Sequence, residues 1–174
     1  MKHPLSENIR EFVFGVEDGA VGNLGVVVGM AQAAAPNKFI LLAGFATMLA
    51  QTISMSAGTY LSVKSEKEYF SVNKKSRQFG KEYAKHKVPL ISTVVMGLSV
   101  IIGALIPLSS FFFFESTAGI VPAVIITLIG LFLLGVFKSN YTNNKWFGSG
   151  LEMLIVGGLA ASAGYIIGTM FGGI

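Results

Sequence analysis

Long apolar blocks, separated by short polar segments, run through the whole chain. Each block is long enough to cross the hydrocarbon layer of a membrane, which takes about 20 residues of α-helix. Polar positions gather between the blocks and do not form the polar face of soluble amphipathic helices. The pattern predicts five membrane-spanning helices, at about residues 12–35, 39–63, 88–108, 117–137 and 151–171.

Composition agrees with this pattern. Hydrophobic residues occupy 52% of the 174 positions and charged residues 13%, whereas soluble domains have about 25% charged residues. Residues 1–174 are therefore interpreted as a single all-α transmembrane domain, and an apolar soluble bundle is the weaker alternative. The chain has no cysteine, which excludes disulfides and thiolate metal sites.

The positive residues predict an orientation. Lys2 and Arg10 precede the first span, eight more Lys and Arg lie between spans two and three, and Lys138 and Lys145 lie between spans four and five. If the N-terminus is cytoplasmic, these twelve of the thirteen positive residues are all cytoplasmic, and Lys38 is outside. The positive-inside rule therefore predicts a cytoplasmic N-terminus and a C-terminus on the other side.

The largest polar segment is the basic loop at about residues 64–87. Tyr69, Val72, Phe79 and Tyr83 recur in it at helical spacing. A basic amphipathic helix that lies on the membrane surface is the structure this spacing favours.

A cleaved export signal is an alternative interpretation of the first block. The small residues at Ala31–Ala33 resemble a cleavage site. The acidic residues before them argue against it, because an export signal has a positive start and an uncharged middle.

Acidic residues and glycines in the first span share one face of the predicted helix. The spacing of 4, 7, 4, 3 and 4 residues keeps them in one stripe, which consists of Glu7, Glu11, Asp18, Gly22, Gly25 and Gly29. Glycines let another helix approach closely. The carboxylates are then expected to face the groove that forms beside them.

Asp18 is the only aspartate of the chain. An ionised carboxylate in hydrocarbon costs roughly 2.5–3.5 kcal/mol on insertion scales, so it usually faces a partner, a cavity or an ion path. The alternative is that Asp18 lies near a helix end or the membrane interface. A divalent cation takes about six donors, which one stripe cannot supply. This predicts a homodimer with an ion path between the two first helices.

Met55 is a candidate soft ligand in the second span. It is flanked by small and hydroxyl residues in the string SMSAGTY at 54–60. A thioether favours Fe²⁺ or similar transition metals over Mg²⁺ or Ca²⁺, although a packing role for Met55 is the simpler alternative.

Other chemistry has little support. Glu82 and His86 could form half of a metal site, but a solvated loop is the simpler interpretation. No catalytic triad, phosphate-binding glycine loop, HExxH motif or basic-aromatic nucleic-acid surface is present in the sequence. The sequence therefore predicts no enzyme activity, no bound cofactor and no nucleic-acid partner.

Several strings resemble the vacuolar iron transporter family. They are EDGAVGNLG at 17–25, SMSAGTYLSV at 54–63, GALIP at 103–107, GGLAA at 157–161 and GYIIG at 164–168. The resemblance implies a five-helix homodimer that moves Fe²⁺ or Mn²⁺ out of the cytosol in exchange for protons. It also implies a path aspartate at Asp18, a path methionine at Met55, and entrance glutamates at Glu7 and Glu11.

Two features depart from the family pattern. Members with a regulatory metal-collecting domain carry a longer, glutamate-rich insert between spans two and three, where this chain has only the lysine-rich loop. Many members also have a glutamate where this chain has Thr59. Cytosolic metal capture and the identity of the metal are therefore left open.

The hypothesis from sequence is a dimeric divalent-metal transporter that resides in the bilayer. Its membrane would be the cell membrane in a prokaryote or a vacuole-type membrane in a eukaryote. The alternatives are a transporter with another substrate, and a non-transporting scaffold or sensor whose basic loop binds lipid or a partner.

Overall fold

The computed structural model describes residues 8–72, 87–142 and 145–172. They form five long α-helices: α1 (Ile9–Gln32), α2 (Asn37–Val72), α3 (Pro89–Ser109), α4 (Ile120–Thr142) and α5 (Trp146–Phe171). Two short 3₁₀ helices, Ser110–Phe112 and Ser116–Gly119, connect α3 to α4. All five long helices are apolar and long enough to cross a membrane. For the described residues this confirms the predicted all-α fold, with five helices long and apolar enough to span a membrane.

The second helix is longer than the sequence pattern indicates. It continues to Val72 instead of ending near Val63, and its 36 residues extend for about 54 Å. The hydrocarbon layer takes up about 30 Å, so the end of α2 projects well beyond it. Residues 64–72 are thus part of α2, and the rest of the predicted surface helix, residues 73–86, lies outside the described residues.

The turn between α1 and α2 fixes how these two helices meet. The Ala35 amide donates to the Met30 carbonyl and the Ala34 amide donates to the Ala31 carbonyl. This is the Schellman arrangement, which needs a left-handed residue after the helix, and Ala34 takes that conformation with φ 56°. The side-chain amide of Asn37 then donates from Nδ2 to the Phe111 carbonyl at 2.6 Å, which ties the start of α2 to the 3₁₀ helix that follows α3.

Helix α1 lies at the centre of the bundle and contacts all four other long helices. Its contact with α3 is close because glycines meet backbone on both sides. A Cβ on Gly19 would lie 2.2 Å from the Val100 carbonyl oxygen, and a Cβ on Gly103 would lie 2.1 Å from the Val16 carbonyl oxygen. Such close backbone approach is typical of membrane helices, where small residues replace the hydrophobic driving force.

The glycine stripe of α1 also has its partner within the same chain. Gly25 and Gly29 face Gly164 and Gly168 of α5, where an added Cβ would lie 2.4 Å from the opposing carbonyl oxygens. The small-residue face of α5 is therefore a helix-packing surface. Helix α5 thus covers the end of the stripe formed by Gly25 and Gly29, whereas Gly22 lies against Gln51 of α2.

Candidate functional site

A groove of about 780 Å³ opens between the first half of α1, the second half of α2 and the start of α3. We call it the α1–α2 groove. Its charged and sulfur-bearing residues are Arg10, Glu11, Met55, Glu66, Lys87 and Met96. Charged and thioether groups thus meet in one groove of an otherwise apolar bundle, which makes it the leading candidate site.

Glu11 has the most defined surroundings of the predicted site residues. It is 4% exposed, and its carboxylate forms a salt bridge with the ammonium of Lys87, which lies just before α3. The other carboxylate oxygen, Oε2, is buried and has no hydrogen-bond partner among the described residues. Buried acceptors are rarely left unpaired, so this oxygen is available to a further donor or cation.

Met55 lines the same groove as Glu11 and is partly exposed. The next residue, Ser56, turns toward α3, where its hydroxyl lies 2.6 Å from the position of a Cβ on Gly97. Gly58 leaves open space, because nothing lies within 4 Å of a Cβ placed on it. The thioether therefore faces a groove with room for a ligand, as the small neighbours in the sequence predict.

Asp18 lies outside the α1–α2 groove. It is seven residues beyond Glu11 on the same face of α1, which corresponds to about 10 Å along the helix. Asp18 is partly exposed, and the salt bridges of the described residues do not include it. The structure thus brings Glu11 and Met55 together and places Asp18 deeper along α1.

The neighbouring acid, Glu17, faces a different part of the bundle. It lines a second groove, of about 280 Å³, between α1 and the end of α4. Lys138 lines this groove as well and lies 3.7 Å from the carboxylate of Glu152. Glu17 therefore lines a different groove from Glu11.

Gln51 is a polar residue near the site that the sequence reasoning does not single out. Its Nε2 lies 2.2 Å from the position of a Cβ on Gly22, one turn beyond Asp18 on α1. Its Oε1 is buried and has no hydrogen-bond partner in the described part of the chain. The available signal is a polar residue within an apolar span, four residues before Met55 and so on the same face of α2.

Three residues that the sequence analysis considers as metal ligands lie outside the described ranges, namely Glu7, Glu82 and His86. Within residues 8–72, 87–142 and 145–172, no three His, Cys, Asp or Glu side chains are grouped closely enough to hold a metal ion. A cation that takes about six donors thus needs more ligands than the described side chains of one protomer provide.

The chain is similar to several known proteins, among them plant vacuolar iron transporters. It is 26% identical over 210 residues to vacuolar iron transporter 1 of Oryza sativa subsp. japonica, with 91% of this chain and 83% of the relative covered. It is 24% identical over 223 residues to protein CCC1 of Saccharomyces cerevisiae, with 94% and 69% covered. An uncharacterized protein of Methanocaldococcus jannaschii is 30% identical over 162 residues, with 88% and 84% covered.

A model of the VIT family matches residues 9–86 and 77–169. The two matched segments overlap at residues 77–86, between α2 and α3, where the sequence predicts that this chain lacks an insert. Together they include all five long helices almost completely, from the start of α1 to the last turn of α5. The chain therefore belongs to the VIT family.

Proposed function

We propose that this protein transports divalent transition-metal ions, Fe²⁺ and/or Mn²⁺, out of the cytosol. The observation that carries the proposal is that Glu11 and Met55, from two different helices, line one groove. A carboxylate together with a thioether is a donor set for borderline transition metals, since the oxygen supplies charge and the sulfur favours softer ions. The similarity to vacuolar iron transporters of rice and Arabidopsis thaliana supports the same class of substrate.

The proposed path starts in the α1–α2 groove and continues along α1 to Asp18. In this proposal Glu7 and Glu11 attract the hydrated ion, and Asp18 and Met55 bind it within the membrane. Each helical turn advances about 5.4 Å, so Glu11 and Asp18 are two turns apart on one face. An ion can therefore pass from one carboxylate to the next without crossing the helix.

A homodimer supplies the ligands that one protomer lacks. Arg10 and Phe14 are the two exposed residues of α1, and Phe14 lies one turn before Asp18 on the same face. A second copy placed on this face covers Phe14 and sets two Asp18 carboxylates opposite each other. The pair then doubles the donors around a two-fold axis.

Exchange with protons gives the release step a physical basis. Protonation of Asp18 removes the negative charge that holds the metal, because a carboxylate binds a metal ion only when it is deprotonated. In the orientation that the positive residues predict, the α1–α2 groove opens to the cytosol. The metal would thus leave on the side from which the protons arrive.

The experiment compares metal flux into proteoliposomes for wild type, Asp18→Asn and Glu17→Gln. Asp18→Asn is expected to lower Mn²⁺ and Fe²⁺ flux by about tenfold or more, since loss of even an outer-shell partner of a metal ligand typically costs 10–100-fold. Glu17→Gln is the matched control, because it removes an adjacent carboxylate that faces the second groove. Equal flux in all three proteins would exclude Asp18 as a path ligand. Absence of flux in all three would favour the scaffold alternative.

A further inference from the structure

The salt bridge of Glu11 with Lys87 adds a residue that the proposed path does not use. The two residues are 76 positions apart. The Lys87 side chain is 16% exposed and that of Glu11 is 5% exposed. An ion pair so far removed from water is not a solvated surface contact, and loss of one partner leaves the other charge buried and unpaired.

The Lys87 ammonium is paired with the Glu11 carboxylate, to which an arriving metal ion binds in the proposed function. A protonated lysine has three donors and no lone pair, so it cannot join the coordination shell of the metal. Two cations on one carboxylate also repel each other. The ammonium therefore weakens metal binding at Glu11, and both carboxylate oxygens become free for the metal ion once the ammonium moves away.

The surroundings allow that movement. Lysine carries its charge on a flexible four-carbon stem, and Lys87 precedes the first residues of α3, so its side chain can swing without unwinding the helix. Among the described residues, the other charged side chains that line the groove are Arg10 and Glu66. The buried Oε2 of Glu11, unpaired among the described residues, offers the arriving ion a second oxygen.

On the basis of the proposed function, we infer that Lys87 is a specificity-determining residue: its ammonium is a built-in competitor at Glu11 that a divalent cation displaces and a monovalent cation does not. Exchange of the ammonium for K⁺ leaves the charge at the carboxylate unchanged and loses N–H···O hydrogen bonds. Exchange for a divalent ion adds a positive charge beside the carboxylate. The same competition keeps the divalent ion from being held in the groove, so it moves on toward Asp18.

The first test measures Mn²⁺ binding to the purified full chain by EPR, at low and high K⁺ concentration. Lys87→Gln removes a close competing charge and is expected to lower the Kd for Mn²⁺ roughly tenfold. Binding is also expected to become sensitive to K⁺, because the ammonium no longer keeps K⁺ from the carboxylate. Lys64→Gln is the matched control, because it removes the same charge from an exposed pair with Glu68 on α2. It is expected to leave both properties as in wild type.

Two further variants separate competition from a structural role. Lys87→Arg retains the cation and is expected to keep the wild-type Kd. In a Glu11→Gln background, Lys87→Gln is expected to cause no tightening, because the carboxylate for which the ions compete is gone. Unchanged Mn²⁺ affinity in Lys87→Gln, or tightening that persists without Glu11, would overturn the inference.

A measurement on wild type does not depend on how the variants fold. Acetylation of Lys87 by acetic anhydride, followed by mass spectrometry, reports whether its amino group is paired with Glu11 or accessible to the reagent. Mn²⁺ is expected to raise Lys87 labelling several-fold and K⁺ to leave it unchanged, with Lys64 as the internal reference. Labelling that Mn²⁺ does not change, in a protein that transports Mn²⁺, overturns this inference alone. Lack of transport with Mn²⁺-dependent labelling overturns the proposed function alone.

Discussion

Gly164 of α5 packs directly on Gly25 of α1, backbone against backbone. A Cβ on Gly164 would lie 2.4 Å from the Gly25 carbonyl oxygen and 3.1 Å from its carbonyl carbon. Backbone atoms cannot move aside as the end of a flexible side chain can. The approach of α5 to α1 thus depends on the absence of a side chain at this position.

Gly164→Ala is therefore expected to destabilise the protein by about 1–3 kcal/mol, the usual cost of overpacking. The gain in helix propensity, about 1 kcal/mol for Gly to Ala, offsets only part of this. The measurement is the thermal unfolding midpoint in a mild detergent. Gly158→Ala on the same helix is the control, since nothing lies within 4 Å of its Cβ position. If both variants unfold at the same temperature, the close contact is not structurally important.

Ala34→Gly is expected to stabilise the turn between α1 and α2. Ala34 has φ 56°, a left-handed conformation that costs an L-residue roughly 1–2 kcal/mol and costs glycine little. The larger entropy of glycine in the unfolded chain reduces the gain, so the expected increase in unfolding free energy is up to about 1 kcal/mol. Ala33→Gly is the control at φ −74°, where glycine is expected to destabilise. A lower midpoint for Ala34→Gly would contradict this account of the turn.

Met55→Leu is expected to change which metal the protein prefers. Leucine keeps the volume of methionine to within a small packing cost but removes the sulfur, which favours softer ions. Fe²⁺ flux is expected to fall several-fold relative to Mn²⁺ flux, as measured by competition between the two ions. Met48→Leu is the matched control on the same helix, because Met48 is 7% exposed and is not part of the α1–α2 groove. An equal fall for both metals would assign Met55 a packing role.

Phe14→Cys is expected to form a disulfide between two protomers. Phe14 is 50% exposed on the α1 face that the dimer proposal covers, and the chain has no native cysteine to interfere. Oxidation in native membranes followed by gel electrophoresis reports the cross-linked dimer. Leu133→Cys on α4, which is 60% exposed, is the control for random collision in the bilayer. Cross-linking that is equal for both variants, or absent from Phe14→Cys, would remove the proposed interface.

Much of the fold is readable from local features of the chain. Apolar blocks of about 20 residues predict spanning helices because an α-helix pairs its backbone N–H and C=O groups within one segment, as the lipid interior requires. Pro89 marks the start of α3 because the first turn of a helix does not need its N–H. The end of α2 was not predicted correctly, since polar and charged residues such as Lys64 and Glu66 do not stop a helix that leaves the membrane.

The candidate site is only partly readable from the chain. Helical spacing places Glu11 and Asp18 on one face of α1, and family resemblance adds Met55. The shared groove of Glu11 and Met55, the pairing of Glu11 with Lys87, and the position of Gln51 against Gly22 are contacts between different helices. Spacing within one helix does not predict any of them.

The sequence by itself thus determined the number of spans, the family and the faces of the individual helices, because each follows from hydropathy, motif or a period of 3.6 residues. Only the tertiary structure decided which faces meet. The glycines of α1 could have packed on any neighbour or on a second copy, and the structure pairs Gly25 and Gly29 with α5. Lys87, one of many basic residues in the sequence, is distinguished only by the burial of its ammonium against Glu11. The physical reason is that helix partners are selected by the shape and charge of surfaces far apart in the chain, and one-dimensional patterns do not record them.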